Sequence, residues 1–463
     1  MYEEKQKVEK RNLEFQDIKN KLIIMALILF SVVIASISLT MNGTYEERKE
    51  IEKEFVEQEY YKQPYFILGQ QYLERGGCRA MFIPPTAHYL LAGTSSHTRA
   101  KIINEDNFIR FFSKVDVFSF IENNTNIIIV IFFSAMLIMS LAGISNFDYG
   151  SNFPTLKQFL LRLFLVDTSF ILIVSGGFYL NAVNQGMTVT GHDIKGLSLF
   201  LLYMVFFLSF FYVIGFFVRA LTRDIAKALV ICALIFVIII FIIHPLVHRY
   251  DGPYIYSEEM LPKRGTNEIS AEVKAGNYEF YKKDKLETLS RFIEFENYFI
   301  EKEERYFKEK IKYWHFFPTL FFINLVDNVI CSSYVGHLEF YRFSIDMKNE
   351  YFTDFFEKDR FKVPPDTFAA LGYINLKHHV YRGKSRVPEN FFTGTGLTFL
   401  YTLILVLAAF FLIKPFYNRK TRKEEEERKE AERIKKEEEE KILKIYEEMR
   451  AKKKAEEKSK VSS

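Results

Sequence analysis

Cysteine and tryptophan are nearly absent from this chain, with three and one copies in 463 residues. The three cysteines, Cys78, Cys232 and Cys331, show no Cys-x-x-Cys spacing, which removes the common zinc and dithiol signatures. Cys232 lies in an apolar run and reads as packing. Cys78 and Cys331 fall in two separate polar stretches, where isolated thiols are preferred over a pair. An excess of one charge is lacking too. Lys and Arg number 62 against 58 Asp and Glu, and no basic patch interleaved with aromatics marks a nucleic-acid surface. A complete phosphate-binding loop is missing: Gly383-Lys384-Ser385 supplies its ending, but His378 stands where the pattern needs glycine. His244 and His248 are four apart, yet Pro245 separates them and no third ligand is near; His378 and His379 are equally bare. No nucleophile, base and acid fall into a defensible arrangement. The sequence therefore predicts no catalytic, cofactor or metal residues, and no partner among nucleic acids.

Long apolar runs are what the chain has instead. A helix needs about 20 mostly apolar residues to cross a bilayer. Six stretches approach this: 22–40, 126–144, 166–180, 197–218, 225–243 and 397–413. The first is too long for a signal-peptide core and has no small-x-small cleavage site after it, so it reads as an anchor that stays. Orientation follows the Lys and Arg beside the spans. Positive charge precedes the first span, occupies the second-to-third and fourth-to-fifth links through Lys157, Arg219, Arg223 and Lys227, and follows the last span. With six spans, all these segments share one side when both chain ends are cytoplasmic.

The expectation is a mainly α, polytopic membrane protein. Residues 1–21 are a cytoplasmic amphipathic segment, 41–125 and 244–396 are two extracytoplasmic domains of helical or mixed structure, 145–165 is a cytoplasmic link, and 414–463 is a charged cytoplasmic helical tail. Within 244–396, residues 277–314 repeat apolar side chains at three- and four-residue spacing, which predicts a long amphipathic helix. Glu–Lys and Glu–Arg pairs four apart predict a solvated single helix for the tail, with too few apolar positions for a coiled-coil seam. Arg162 and Asp167 interrupt the third run. They suggest an amphipathic helix at 155–164, a span beginning near Val166, and Asp167 at the membrane boundary.

The layout resembles the permease subunit of a type-2 ABC exporter, in the branch with enlarged extracytoplasmic regions. The order of segments carries the likeness, with three local stretches beside it. Phe82-Ile83-Pro84-Pro85-Thr86-Ala87 is similar to a proline-containing segment of the first outer region. Asp148, Gly150, Thr155 and Leu156 echo, at different spacing, the acidic-Gly-Thr-Leu pattern of the coupling segment. Tyr341, Arg342, Phe355 and Phe356 match a Tyr-Arg segment with later paired aromatics, whereas the charged tail is atypical of the class. The resemblance implies a non-enzymatic subunit of a bacterial cytoplasmic (inner) membrane. It implies as partners a separate ABC ATPase, which alone would handle ATP, and a second permease subunit besides the lipid bilayer. Residues Thr155, Lys157, Arg162, Lys10 and Arg11 are the expected ATPase coupling contacts, with anionic headgroups an equal alternative for the cations. The largely apolar spans suit an amphiphilic substrate. A membrane scaffold or receptor, whose outer domains bind a ligand and whose tail recruits a partner, is the alternative.

Overall fold

The computed structural model describes residues 21–39, 44–57, 78–91, 99–103, 127–147, 153–243, 278–331, 334–357 and 379–461. Six of its helices are long and apolar enough to cross a membrane, which makes the chain a mainly α, multi-pass membrane protein. They are α1 (Lys21–Leu39), α4 (Ile127–Ile144), α5 (Leu156–Asn184), α6 (Gly191–Thr222), α7 (Ile225–Ile238, prolonged by a π turn, Ile239–Ile243) and α11 (Phe391–Leu407, prolonged by a π turn, Ala408–Ile413). Between α1 and α4 lie α2 (Thr44–Glu57), β1 (Cys78–Ile83), α3 (Thr86–Leu91) and β2 (Arg99–Ile103). Between α7 and α11 lie α8 (Tyr278–Ile311), α9 (Pro318–Ile330), α10 (Tyr334–Glu357) and β3 (His379–Arg382). The chain continues from α11 directly into α12 (Lys414–Val461). The end of the bundle bearing the two long connections is the loop side; the end from which α12 leaves is the tail side.

Apolar side chains cannot tell lipid from protein, so close packing decides which spans are central. In α4, 67% of the apolar window is buried, and in α6 50%, against 11% for α7. Glycine explains this pairing. A Cβ on Gly143 of α4 would stand 2.0 Å from the Tyr212 carbonyl oxygen, and one on Gly215 of α6 would stand 2.1 Å from that of Ser140. Each backbone thus rests on the other, and Ser140 Oγ donates to the Phe211 carbonyl at 3.2 Å to close the contact. Around this seam the core is filled by aromatic rings, among them Phe132, Phe159, Phe200, Phe207 and Phe211. On the periphery α1 joins α5 through stacked Phe30 and Phe170, 4.4 Å between centroids, and through Ser38 Oγ donating to the Gly177 carbonyl at 3.2 Å.

The third apolar run lies in one continuous helix. Helix α5 runs without interruption from Leu156 to Asn184, so 155–164 and the span are one element. No Gly or Pro stands between Leu156 and Val174, and the two charges are absorbed sideways instead of stopping the helix. Arg162 reaches to the end of α4. Asp167 is buried against α6, where Ser209 Oγ donates to it at 2.8 Å. Asp167 therefore lies within one continuous helix.

On the loop side the two long connections build one structure. Strand β1 is central: it pairs antiparallel with β2 and parallel with β3, with Ala80 opposite His379 and Ile83 opposite Arg382. A strand covered on both faces needs apolar residues at every position, and Ala80, Met81, Phe82 and Ile83 are all buried. Ala80 and Phe82 face α8 and α10, and Met81 and Ile83 face Phe55 of α2. The long amphipathic helix expected at 277–314 is α8. Its Glu296 pairs with Lys348 of α10 at 3.4 Å, both fully buried. Cys331 closes α9 as a buried free thiol.

Helix α9 is the join between this unit and the bundle. At 13 residues it is too short to span, yet nearly all of it is buried. Phe322 stacks on Phe207 at 4.7 Å and meets Phe132 at 5.3 Å and Phe200 at 5.7 Å. Tyr203 Oη donates to the Pro318 carbonyl at 2.7 Å, and Trp314 is buried beside it. The apolar wedge therefore packs as part of the bundle core.

The α4–α6 seam yields a direct expectation. Gly215→Leu forces two backbones apart and lowers stability by about 3 kcal/mol or more, read as a lower melting temperature of the detergent-solubilised chain. Gly176→Ala, where an added Cβ meets nothing within 4 Å, leaves it unchanged or slightly raised.

Candidate functional site

Two places gather side chains with chemistry. On the tail side, the links between spans converge with the root of α12. Phe147, after α4, stacks on Phe216 of α6 at 4.8 Å, and Phe153 meets Phe410 at 5.3 Å and Tyr417 at 5.6 Å. Phe159 of α5 reaches Phe216 at 4.7 Å and Phe410 at 5.6 Å. The turn between α6 and α7 adds a polar clamp. Arg223 caps α6 in the left-handed region at φ 59°, and Asp224 then caps α7 by accepting from the Ala226 and Lys227 amides. Held in this tight turn, Arg223 donates to the Tyr417 carbonyl at 2.6 Å and to Thr421 Oγ1 at 2.7 Å, with its guanidinium 4.3 Å from the Tyr417 ring centre. Both tail-side links and the root of α12 are thereby locked together.

The expected coupling residues are distributed around this cluster. Thr155 is the N-cap of α5: its hydroxyl accepts from the Gln158 amide, and the Gln158 side chain returns to the Thr155 amide, so the helix start is rigidly capped. Lys157 is exposed. Arg162 donates to the Asn146 carbonyl at 3.1 Å and to its side-chain oxygen at 3.2 Å, so it latches the end of α4. Lys10 and Arg11 lie outside the described residues, as do His244, His248 and His378. Among the described residues no three His, Cys, Asp or Glu side chains are grouped to hold a metal ion. Arg342 pairs with Glu304, and Tyr341 and Phe356 are buried in the loop-side core.

The second place is a pocket of about 430 Å³ on the loop side. Its walls come from α2, the Pro84-Pro85 turn, the link into α6, and Gly383-Lys384-Ser385 after β3. Asp193 is the hub. Its Oδ1 accepts from the Ala87 amide at 3.1 Å and from Ser385 Oγ at 2.9 Å; its Oδ2 accepts from the Thr190 amide at 3.0 Å and hydroxyl at 2.6 Å. One buried carboxylate thus ties three segments distant in sequence. Asn181 and Gln185 extend the join, receiving or giving hydrogen bonds to the Tyr89 carbonyl and the Tyr45 amide. Four cations line the same pocket: Arg48, Lys49, Arg382 and Lys384. Glu52 pairs with both arginines. Burial pushes the Tyr45 phenol up, but its hydrogen bond with Thr188 and the Arg48 and Lys49 charges outweigh this and leave it below its ordinary value.

In sequence, Gly383-Lys384-Ser385 is only the ending of an incomplete phosphate-binding loop; the structure sets its Ser385 against a buried carboxylate. The spacing Thr190-x-x-Asp193 carries the signal for Asp193, because it is a capping-box pattern ahead of an apolar helix. Nothing local distinguishes Arg223 from the other cations counted for orientation.

Two outcomes follow. Arg223→Ala removes two charge-assisted hydrogen bonds, lowering stability by about 1.5–3 kcal/mol and speeding protease cleavage at the root of α12, with Arg223→Lys intermediate. Asp193→Ala leaves the Ala87 amide and Ser385 hydroxyl buried without their acceptor, at a cost of about 2–4 kcal/mol, seen as a lower melting temperature. No family model matches this chain, nor does any curated protein or solved structure.

Proposed function

We propose that this chain is the membrane-spanning permease subunit of a transporter of the type-2 ABC exporter class, driven by a separate ATPase. The observation that carries the reading is the tail-side convergence, where the α4–α5 link, the α6–α7 turn and the root of α12 form one interlocked cluster. Force applied at the exposed, capped start of α5 would be passed to the α4–α6 seam and, through α9, to the loop-side unit. In this reading the tail side faces the cytoplasm, the loop side faces outward, and the membrane is a bacterial inner membrane. The ring-filled centre and the touching α4 and α6 backbones leave the path for cargo to the periphery, between two permease copies. The apolar outer faces of α5, α7 and α11 suit an amphiphilic cargo. A scaffold or receptor is the second reading; the 48-residue α12 favours it, since a rod of that length serves recruitment better than transport.

The test is recovery of the tagged chain from its native membrane in mild detergent, with identification of bound chains and assay of ATP hydrolysis. Recovery of a stoichiometric ATPase, lost at least severalfold with the exposed-site variant Lys157→Glu, is the expected result. An intact chain that brings down no ATPase would sink the permease reading in favour of recruitment through α12.

A further inference from the structure

The loop-side pocket carries more positive charge than its own carboxylates neutralise. Asp193 is consumed by four hydrogen bonds, and Glu52 is shared between Arg48 and Arg382. Lys49 stands 4.6 Å above the Tyr45 ring, and Lys384 is exposed at the pocket mouth; neither forms an ion pair among the described residues. Arg48 is only 8% exposed, and its buried Nε has no hydrogen-bond partner among the described residues. The start of α6 adds the positive end of a 32-residue helix to the same space. At about 430 Å³ the pocket has the size of a small-molecule site.

Its height in the membrane narrows the ligand. The pocket wall is made by the link between two spans, and residues next to it, Val183, Val189 and Ile194, expose apolar side chains outward. Cations at the level where hydrocarbon ends meet phosphates. We propose that this pocket binds a phosphate-bearing anion on the loop side of the membrane, held by Arg48, Lys49, Arg382 and Lys384. The anion is either the headgroup of an acidic phospholipid or a soluble phosphate. The site is independent of the transport reading, because it uses none of the tail-side residues.

The experiment places the full chain in nanodiscs of phosphatidylcholine alone and of phosphatidylcholine with phosphatidylglycerol. Thermal stability and lipid retained on extraction are measured for the wild type and for the double variant Lys49→Gln, Lys384→Gln. Phosphatidylglycerol is expected to raise the melting temperature of the wild type, and the variant to retain that lipid about tenfold less while melting like the wild type in phosphatidylcholine alone. Inorganic phosphate added to phosphatidylcholine discs separates the sources: if it reproduces the stabilisation, the ligand is a soluble phosphate; if only the acidic lipid does, it is a headgroup. No response to either anion, or a lipid response equal in the double variant, overturns the site.

Discussion

Two helix backbones in contact set the rest of this molecule. Lipid tails are as apolar as leucine, so hydrophobicity alone cannot hold spans together; close packing must. The reciprocal glycines of α4 and α6 supply it. Once those two helices touch, their rings project into a common layer. The other elements then settle on that layer: α5 through Phe159, α11 through Phe410, and α9 through Phe321 and Phe322. The π turn that prolongs α11 carries Phe410 itself, so it sits within this packing.

The loop-side unit is joined to the bundle by polar means as well as by α9. Asp193, Asn181 and Gln185 sit where α5 turns into α6, and each binds backbone of the first long connection. The second connection reaches the same corner through Ser385 and through β3, which pairs with β1 across some three hundred residues of sequence. The same corner therefore serves as foundation for the sheet and as wall of the cationic pocket. A ligand there would touch both connections and the start of α6 at once, which is the geometry needed to bias one arrangement of the loop-side unit over another.

Hydropathy made the six spans, the amphipathic α8 and the helical tail legible, because each rests on a local period or a long run of one residue class. What stayed hidden depends on partners distant in the chain. Helix α9 reads as an apolar stretch too short to cross a membrane, and only the ring layer of α4 and α6 shows why it is apolar. The union of the two long connections into one sheet has no local signature, since Ala80–Ile83 alternates no polar residue that would fix a face. The charges of α5 were legible, but their partners were not: Arg162 and Asp167 find theirs at Asn146 and Ser209, on other parts of the chain.

The rigid root of α12 has a geometric consequence. Helix α12 has 48 residues and leaves α11 without a break, so it projects about 72 Å at 1.5 Å per residue. Its base is gripped by Arg223 and the Tyr417 ring, while salt links such as Arg422 to Glu426 and Arg433 to Glu437 stiffen its shaft. Such a rod is a lever. A tilt of roughly 5° at the base carries the tip through about 6 Å, given that length. A rearrangement of the spans too small to register as a change of packing would thus be written, enlarged, in the position of a charged helix end.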